Sequence, residues 1–141
     1  MPKLLGARVF NVTCLALFLN LEASAYSVLS HEALVDALWN VKIKPVLLAR
    51  FPNATPEELK KAHGFAYGGA IVQDLGYYPH GSMKFSDLTH YVRTGDFITA
   101  LLKESQGLNE LAFALGALSH YVSDLDGHRF AVNAGEPMLY P

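Results

Sequence analysis

The stretch AFALGALSHYVSDLDGH, residues 112–128, decides how the rest of the chain is read. Its first half is apolar on every side, as a helix enclosed by other helices must be. Its second half carries His120, Asp124 and His128 at four-residue intervals. Residues four apart in an α-helix stand one turn apart on nearly the same face, ~6 Å along the axis. An oily helix therefore ends by aiming imidazole, carboxylate and imidazole in one direction. Burying those groups without a metal or a polar partner is costly. From His120 to His128 is ~12 Å of helical rise, too far for three residues to serve one ion. Gly127 is expected to break the helix, with Asp124 shared by two ions and His128 reaching a further one.

Working outward, the chain reads as all-α. Residues 28–39 have apolar side chains at helical spacing and carry His31 near the start. Pro45 suits the first turn of a second, short helix over 45–51. Thr55-Pro56-Glu57-Glu58 is a capping box with Pro at the first helical position, opening a helix to about Asp74. Gly64, Gly68 and Gly69 each cost that helix ~1 kcal/mol against Ala, which implies a close neighbour or a local break. Residues 76–82 form a loop, and Ser86 is positioned to cap a short helix carrying His90. Residues 97–105 are amphipathic, and the apolar helix spans about 109–124. No strand alternation or repeat is present.

The 141 residues suffice for one domain with a real core. An apolar share of 51% against a charged share of 17% excludes a disordered chain. A formal charge of -2 leaves no basic footprint for duplex nucleic acid. Residues 1–25 read as a signal peptide: Lys3 and Arg8, then an interrupted apolar run, then Ala23-Ser24-Ala25 as a cleavage site. The expected location is secreted or periplasmic, with a mature domain over 26–141. The single cysteine, Cys14, falls inside the leader. Residues 138–141 are neither a helix stop nor a polar tail, so a chain truncated at its C-terminus is expected.

The candidate ligands are His31, Asp74, His90, His120, Asp124 and His128. Imidazole and carboxylate without thiolate suit zinc and other borderline divalent metals and leave positions open to water. His63 reads as structural and His80 as a loop residue near the site. Tyr77, Tyr78, Tyr91 and Tyr121 read by default as core aromatics, and Lys84 and Arg93 as solvated cations.

Taken in order, Tyr26 to His31, Gln73 to Pro79, Asp87 to Tyr91 and Leu118 to His128 resemble the zinc-dependent phospholipase C family. That family shares its helical fold with the single-strand-specific zinc nucleases. The chain is also similar to the N-terminal domain of glycosylphosphatidylinositol-specific phospholipase D. The resemblance implies up to three zinc ions. One would take Asp74, His90, His120 and Asp124. A second would take the amine and carbonyl of Tyr26 as mature first residue, with His31 and Asp124. A third would take His128 with ligands not visible in this sequence. It also implies hydrolysis of a phosphodiester, phospholipid head groups first, by a zinc-activated water that Asp74 orients or deprotonates. Contact with a membrane surface would accompany that substrate, and no obligate protein partner is evident. A single-strand nuclease or nucleotidase on the same fold stays open, as does a metal-binding domain without turnover.

Overall fold

A computed structural model of the chain describes residues 22–127, with side chains from residue 28 onward. Among these residues there is no strand. The helices are α1 (Glu22–Leu38), α2 (Lys44–Arg50), α3 (Pro56–Ile71), α4 (Met83–Asp87), α5 (Thr94–Glu104) and α6 (Leu108–Gly127). A π-helical turn, Trp39–Ile43, joins α1 to α2, and a second, Leu88–Val92, follows α4. A 3₁₀ segment, Val72–Tyr77, continues α3. Residues from His31 onward form one compact unit, and the first turns of α1 belong to a separate one.

Sequence periodicity predicts two helices over 28–51, and the structure joins them through the first π turn. Val35, Trp39, Ile43 and Leu47 are all buried in one cluster. In an ideal α-helix each four-residue step over-rotates by ~40°, so such a stripe drifts off its face. A turn bonded i to i+5 winds more slowly and corrects that drift. Pro45, which has no N–H, falls in the first turn of α2, where the bonding pattern changes.

α3 starts as the sequence predicts. The Thr55 hydroxyl accepts from Glu58 N at 3.3 Å, and the Glu58 carboxylate accepts from Thr55 N at 2.8 Å. A cap of this kind contributes ~1 kcal/mol. Buried Leu59, Ala62, Ala66 and Ala70 then face α6. The two helices meet backbone to backbone. A Cβ on Gly69 would lie 1.9 Å from the Phe113 carbonyl oxygen, and one on Gly116 would lie 2.0 Å from that of Ala66. Gly64 has open space around it, so of the glycines in α3 it is Gly69 whose cost close approach explains.

One local expectation is corrected. Ser82, not Ser86, caps the short helix: its hydroxyl accepts from Phe85 N at 3.3 Å. Ser86 is fully buried, one residue from the end of α4, and His90 lies in the π turn beyond it. α6 is helical up to Gly127, the last described residue, so the expected break falls at the edge of the described residues. Residues 1–21, the chain end and His128 lie outside the described residues, and the end of the leader and Tyr26 are described only as backbone within α1.

Candidate metal centre

His31 from α1, Asp74 from the 3₁₀ segment, His90 from the second π turn, and His120 and Asp124 from α6 come together in the folded chain. His120 is fully buried and His31 nearly so. The arrangement follows from how helices end. The last carbonyls of an α-helix lack intrahelical partners. Ala70, next to last in α3, offers its carbonyl to His120 Nδ1 at 2.7 Å. Ser86, next to last in α4, offers its carbonyl to His90 Nδ1 at 2.8 Å. The Gly69–Gly116 approach is what brings the Ala70 carbonyl within reach of α6.

Ser86 also ties the Asp74 segment to the His90 segment. Its hydroxyl donates to the Gln73 carbonyl and accepts from Gly76 N at 2.9 Å. Gln73, itself buried, donates to the Thr89 carbonyl at 3.3 Å. A Cβ on Gly76 would fall 2.4 Å from the Ser86 hydroxyl, so glycine is needed for that contact.

These bonds assign the imidazole tautomers. A carbonyl only accepts, so His90 and His120 carry their protons on Nδ1. The Ser123 hydroxyl donates to the His120 carbonyl at 2.9 Å, and its oxygen, 3.0 Å from His31 Nδ1, accepts from that ring. All three imidazoles thus turn an unprotonated Nε2 toward the same space. His90 Nε2 and His120 Nε2 lie 3.1 Å apart, two lone pairs facing each other. Asp124 Oδ2 is 3.2 Å from His120 Nε2 and 3.6 Å from His90 Nε2, and Asp74 Oδ1 is 3.3 Å from His90 Nε2. Imidazole nitrogens and carboxylate oxygens thus share one space, a set able to hold a metal ion.

The spacing fits zinc. Two ligands on one tetrahedral zinc with ~2.1 Å bonds lie ~3.4 Å apart. The four separations among Asp74 Oδ1, His90 Nε2, His120 Nε2 and Asp124 Oδ2 just given cluster about that value. The other carboxylate oxygens turn to His31: Asp124 Oδ1 is 3.5 Å and Asp74 Oδ2 is 4.0 Å from its Nε2. Asp124 therefore faces His31 with one oxygen and His90 and His120 with the other, and Asp74 faces His31 with one oxygen and His90 with the other. Two groups, His31 with His120 and Asp124, and Asp74 with His90 and His120, have their ligand atoms within 4.8 Å of one another.

The electrostatics follow. Burial pushes His31 below its usual range and neighbouring His120 adds to this, against the pull of Asp124 and Asp74. Burial also works to lower His120, but the hydrogen bond and charge of Asp124, with smaller contributions from the Ala70 carbonyl and Asp74, outweigh it and raise the group. With Nδ1 committed to Ala70, a second proton on His120 enters at Nε2, so proton and metal compete for one lone pair.

The remaining candidates fall outside the cluster. His80 is exposed, in a left-handed backbone conformation with φ 68°. Arg93 pairs with Asp96. The expectation of core aromatics is corrected for Tyr77, Tyr78 and Tyr91, which are exposed. Tyr77 and Tyr91 each place a ring centroid 5.7 Å from that of His90. Burial and a hydrogen bond with Tyr91 push the Tyr77 phenol up to about 12, so it keeps its proton. Sequence reasoning missed Ser86 and Ser123. The available signal was a hydroxyl four residues before His90 and another three after His120, positions where a helix brings neighbours together.

A family model described as zinc dependent phospholipase C matches residues 30–140. No curated protein and no solved structure matches the chain.

Proposed function

The chain belongs to the zinc-dependent phospholipase C family, and from that premise we propose that it is an exported phosphodiesterase that cleaves phospholipids on the glycerol side of the head-group phosphate. The observation that carries this reading is the convergence of three unprotonated imidazole nitrogens on two carboxylates. One ion would be held by Asp74, His90, His120 and Asp124, and a second by His31 and Asp124 with the amine and carbonyl of Tyr26 once residues 1–25 are removed. His128 would contribute to a third. Zinc, when bound, supplies Lewis acidity that polarises a phosphoryl oxygen and makes water acidic enough to react near neutral pH.

The chain's own groups do the rest. Asp124, facing His31 with one oxygen and His90 and His120 with the other, sets the spacing between the two positions. Asp74, less enclosed than the histidines, would orient an attacking water and take its proton. Because Nδ1 of each histidine is already bonded, Nε2 cannot turn away as charge builds on phosphorus, and that preorganisation lowers the barrier.

A lipid is favoured over a nucleic acid by what flanks the ligands along the chain. Leu75, Tyr77, Leu88, Tyr91, Val122 and Leu125 are exposed, each within a few residues of Asp74, His90 or Asp124. Apolar flanks suit a membrane surface, whereas a single-strand nuclease calls for a basic groove. The test is to assay the zinc-loaded protein on phosphatidylcholine vesicles and on single-stranded DNA. Release of phosphocholine, lost on chelation and restored by zinc, is expected. Turnover that survives chelation, or DNA cleaved in preference to lipid, would overturn the reading.

A further inference from the structure

Two of the three histidine supports are main-chain carbonyls, which no substitution removes. The third is a side chain. We infer that Ser123 is a positioning residue: its hydroxyl holds the proton of His31 on Nδ1 and so keeps Nε2 available as a ligand. The inference rests on the metal-centre reading given above and adds a residue to which neither the spacing of the ligands nor the family match points.

The geometry allows His31 two arrangements. Its ring stacks on that of His120 with centroids 4.0 Å apart and planes 26° apart. Stacking fixes the plane of the ring but not which nitrogen is protonated. On one edge of the ring, Nε2 faces Asp124 Oδ1 and Asp74 Oδ2. Two carboxylates would welcome a proton there, and an Nε2–H turned toward them would close the position to a cation. On the other edge, Nδ1 meets the Ser123 oxygen at 3.0 Å. The hydroxyl proton of Ser123 is already given to the His120 carbonyl at 2.9 Å. The oxygen can therefore only accept from His31, which commits the ring to the Nδ1–H form. Ser123 thus joins α1 to α6 and reads the carbonyl of the histidine one turn before it. The imidazoles of His90 and His120 do not depend on it, since the Ser86 and Ala70 carbonyls hold their Nδ1 atoms. Removing the hydroxyl should weaken one metal position and spare the other.

The experiment compares full-length wild type, Ser123→Ala and Ser123→Thr, with equal helicity by circular dichroism as the folding control. Long-range proton–nitrogen NMR on the zinc-free proteins reads the His31 tautomer without any metal or turnover. Wild type and Ser123→Thr should show Nδ1–H, and Ser123→Ala should move to Nε2–H. Zinc titration should then show ~10–100-fold weaker binding at one position in Ser123→Ala, the usual cost of losing a ligand's outer support, with the other position unchanged and Ser123→Thr restored. A Ser123→Ala protein that keeps the wild-type tautomer, or fills both positions with wild-type affinity, overturns the inference. Wild type that binds no zinc overturns the metal-centre reading instead, and the tautomer measurement still decides whether Ser123 controls His31.

Discussion

Two histidine–aspartate clusters share helix α1, and they are satisfied in opposite ways. In one, His31, His90 and His120 turn lone pairs on Asp74 and Asp124. In the other, Asp36 of α1 meets His63 and Tyr67 of α3. The Tyr67 hydroxyl donates to Asp36 Oδ1, and His63 Nε2 lies 3.0 Å from the same oxygen. The His63 ring stacks on Trp39 at 4.1 Å and on Tyr67 at 4.6 Å. Here a hydroxyl donor meets the carboxylate, more than half of the Asp36 side chain is open to water, and aromatic faces occupy the imidazole. The residue types match, but the balance of donors and acceptors does not. A metal is called for where buried acceptors outnumber donors, not wherever His and Asp meet.

The sharpest way to break that contrast is to remove the shared carboxylate in each cluster. Asp124→Asn should lower kcat/KM on phosphatidylcholine by ~10³-fold or more, ~4 kcal/mol of transition-state stabilisation, and should lose zinc. Asp36→Asn should leave kcat/KM within about threefold of wild type, since surface changes away from a site cost little. Equal losses in the two variants would erase the distinction.

A smaller effect should come from the helix crossing that builds the first cluster but not the second. Gly69→Ala puts a methyl against the Phe113 carbonyl and should cost ~1–3 kcal/mol, as overpacking does. It should also reduce zinc content, because the Ala70 carbonyl that steadies His120 is the next residue. Gly64→Ala, with nothing in the way, should instead stabilise by ~0.5–1 kcal/mol. Urea unfolding with zinc analysis separates the two. A Gly69→Ala protein as stable and as zinc-rich as wild type would show that the close approach is dispensable.

The smallest effect is an alkaline one. The Asp36 hydrogen bond, with burial, pushes the Tyr67 phenol from 10.0 up to about 12. Above pH 10 the unfolded chain has released a proton that the folded chain keeps. The contribution is therefore complete below pH 10 and declines as pH rises toward 12. Tyr77, beside the first cluster, titrates over the same window. Thermal melts of Tyr67→Phe should lose roughly half of that alkaline slope, with zinc binding at pH 7 unchanged. An unaltered slope would mean that Asp36 does not hold the phenol.

Much of this was legible before folding. The four-residue step from His120 to Asp124 and the Thr55–Glu58 box are short-range patterns, and both are realised as expected. The roles of individual hydroxyls were not legible. Ser82 and Ser86 look alike as caps, and what separates them is that Ser86 meets Gly76 and the Gln73 carbonyl across a turn. Nor does the periodicity of residues 28–51 reveal a π turn, because the stripe that needs it is defined by what it packs against.

By itself, the sequence determined the helical class, the strong helix start at Thr55 and the stock of imidazoles and carboxylates on a few turns. Those properties depend on residues within four or five positions of each other, where backbone geometry alone sets the neighbours. Only the tertiary structure decided which histidines turn lone pairs into a shared space and which, like His63, sit between aromatic rings. That depends on partners far along the chain: Ala70 for His120, Ser123 for His31. An imidazole becomes a ligand when the fold occupies its other nitrogen.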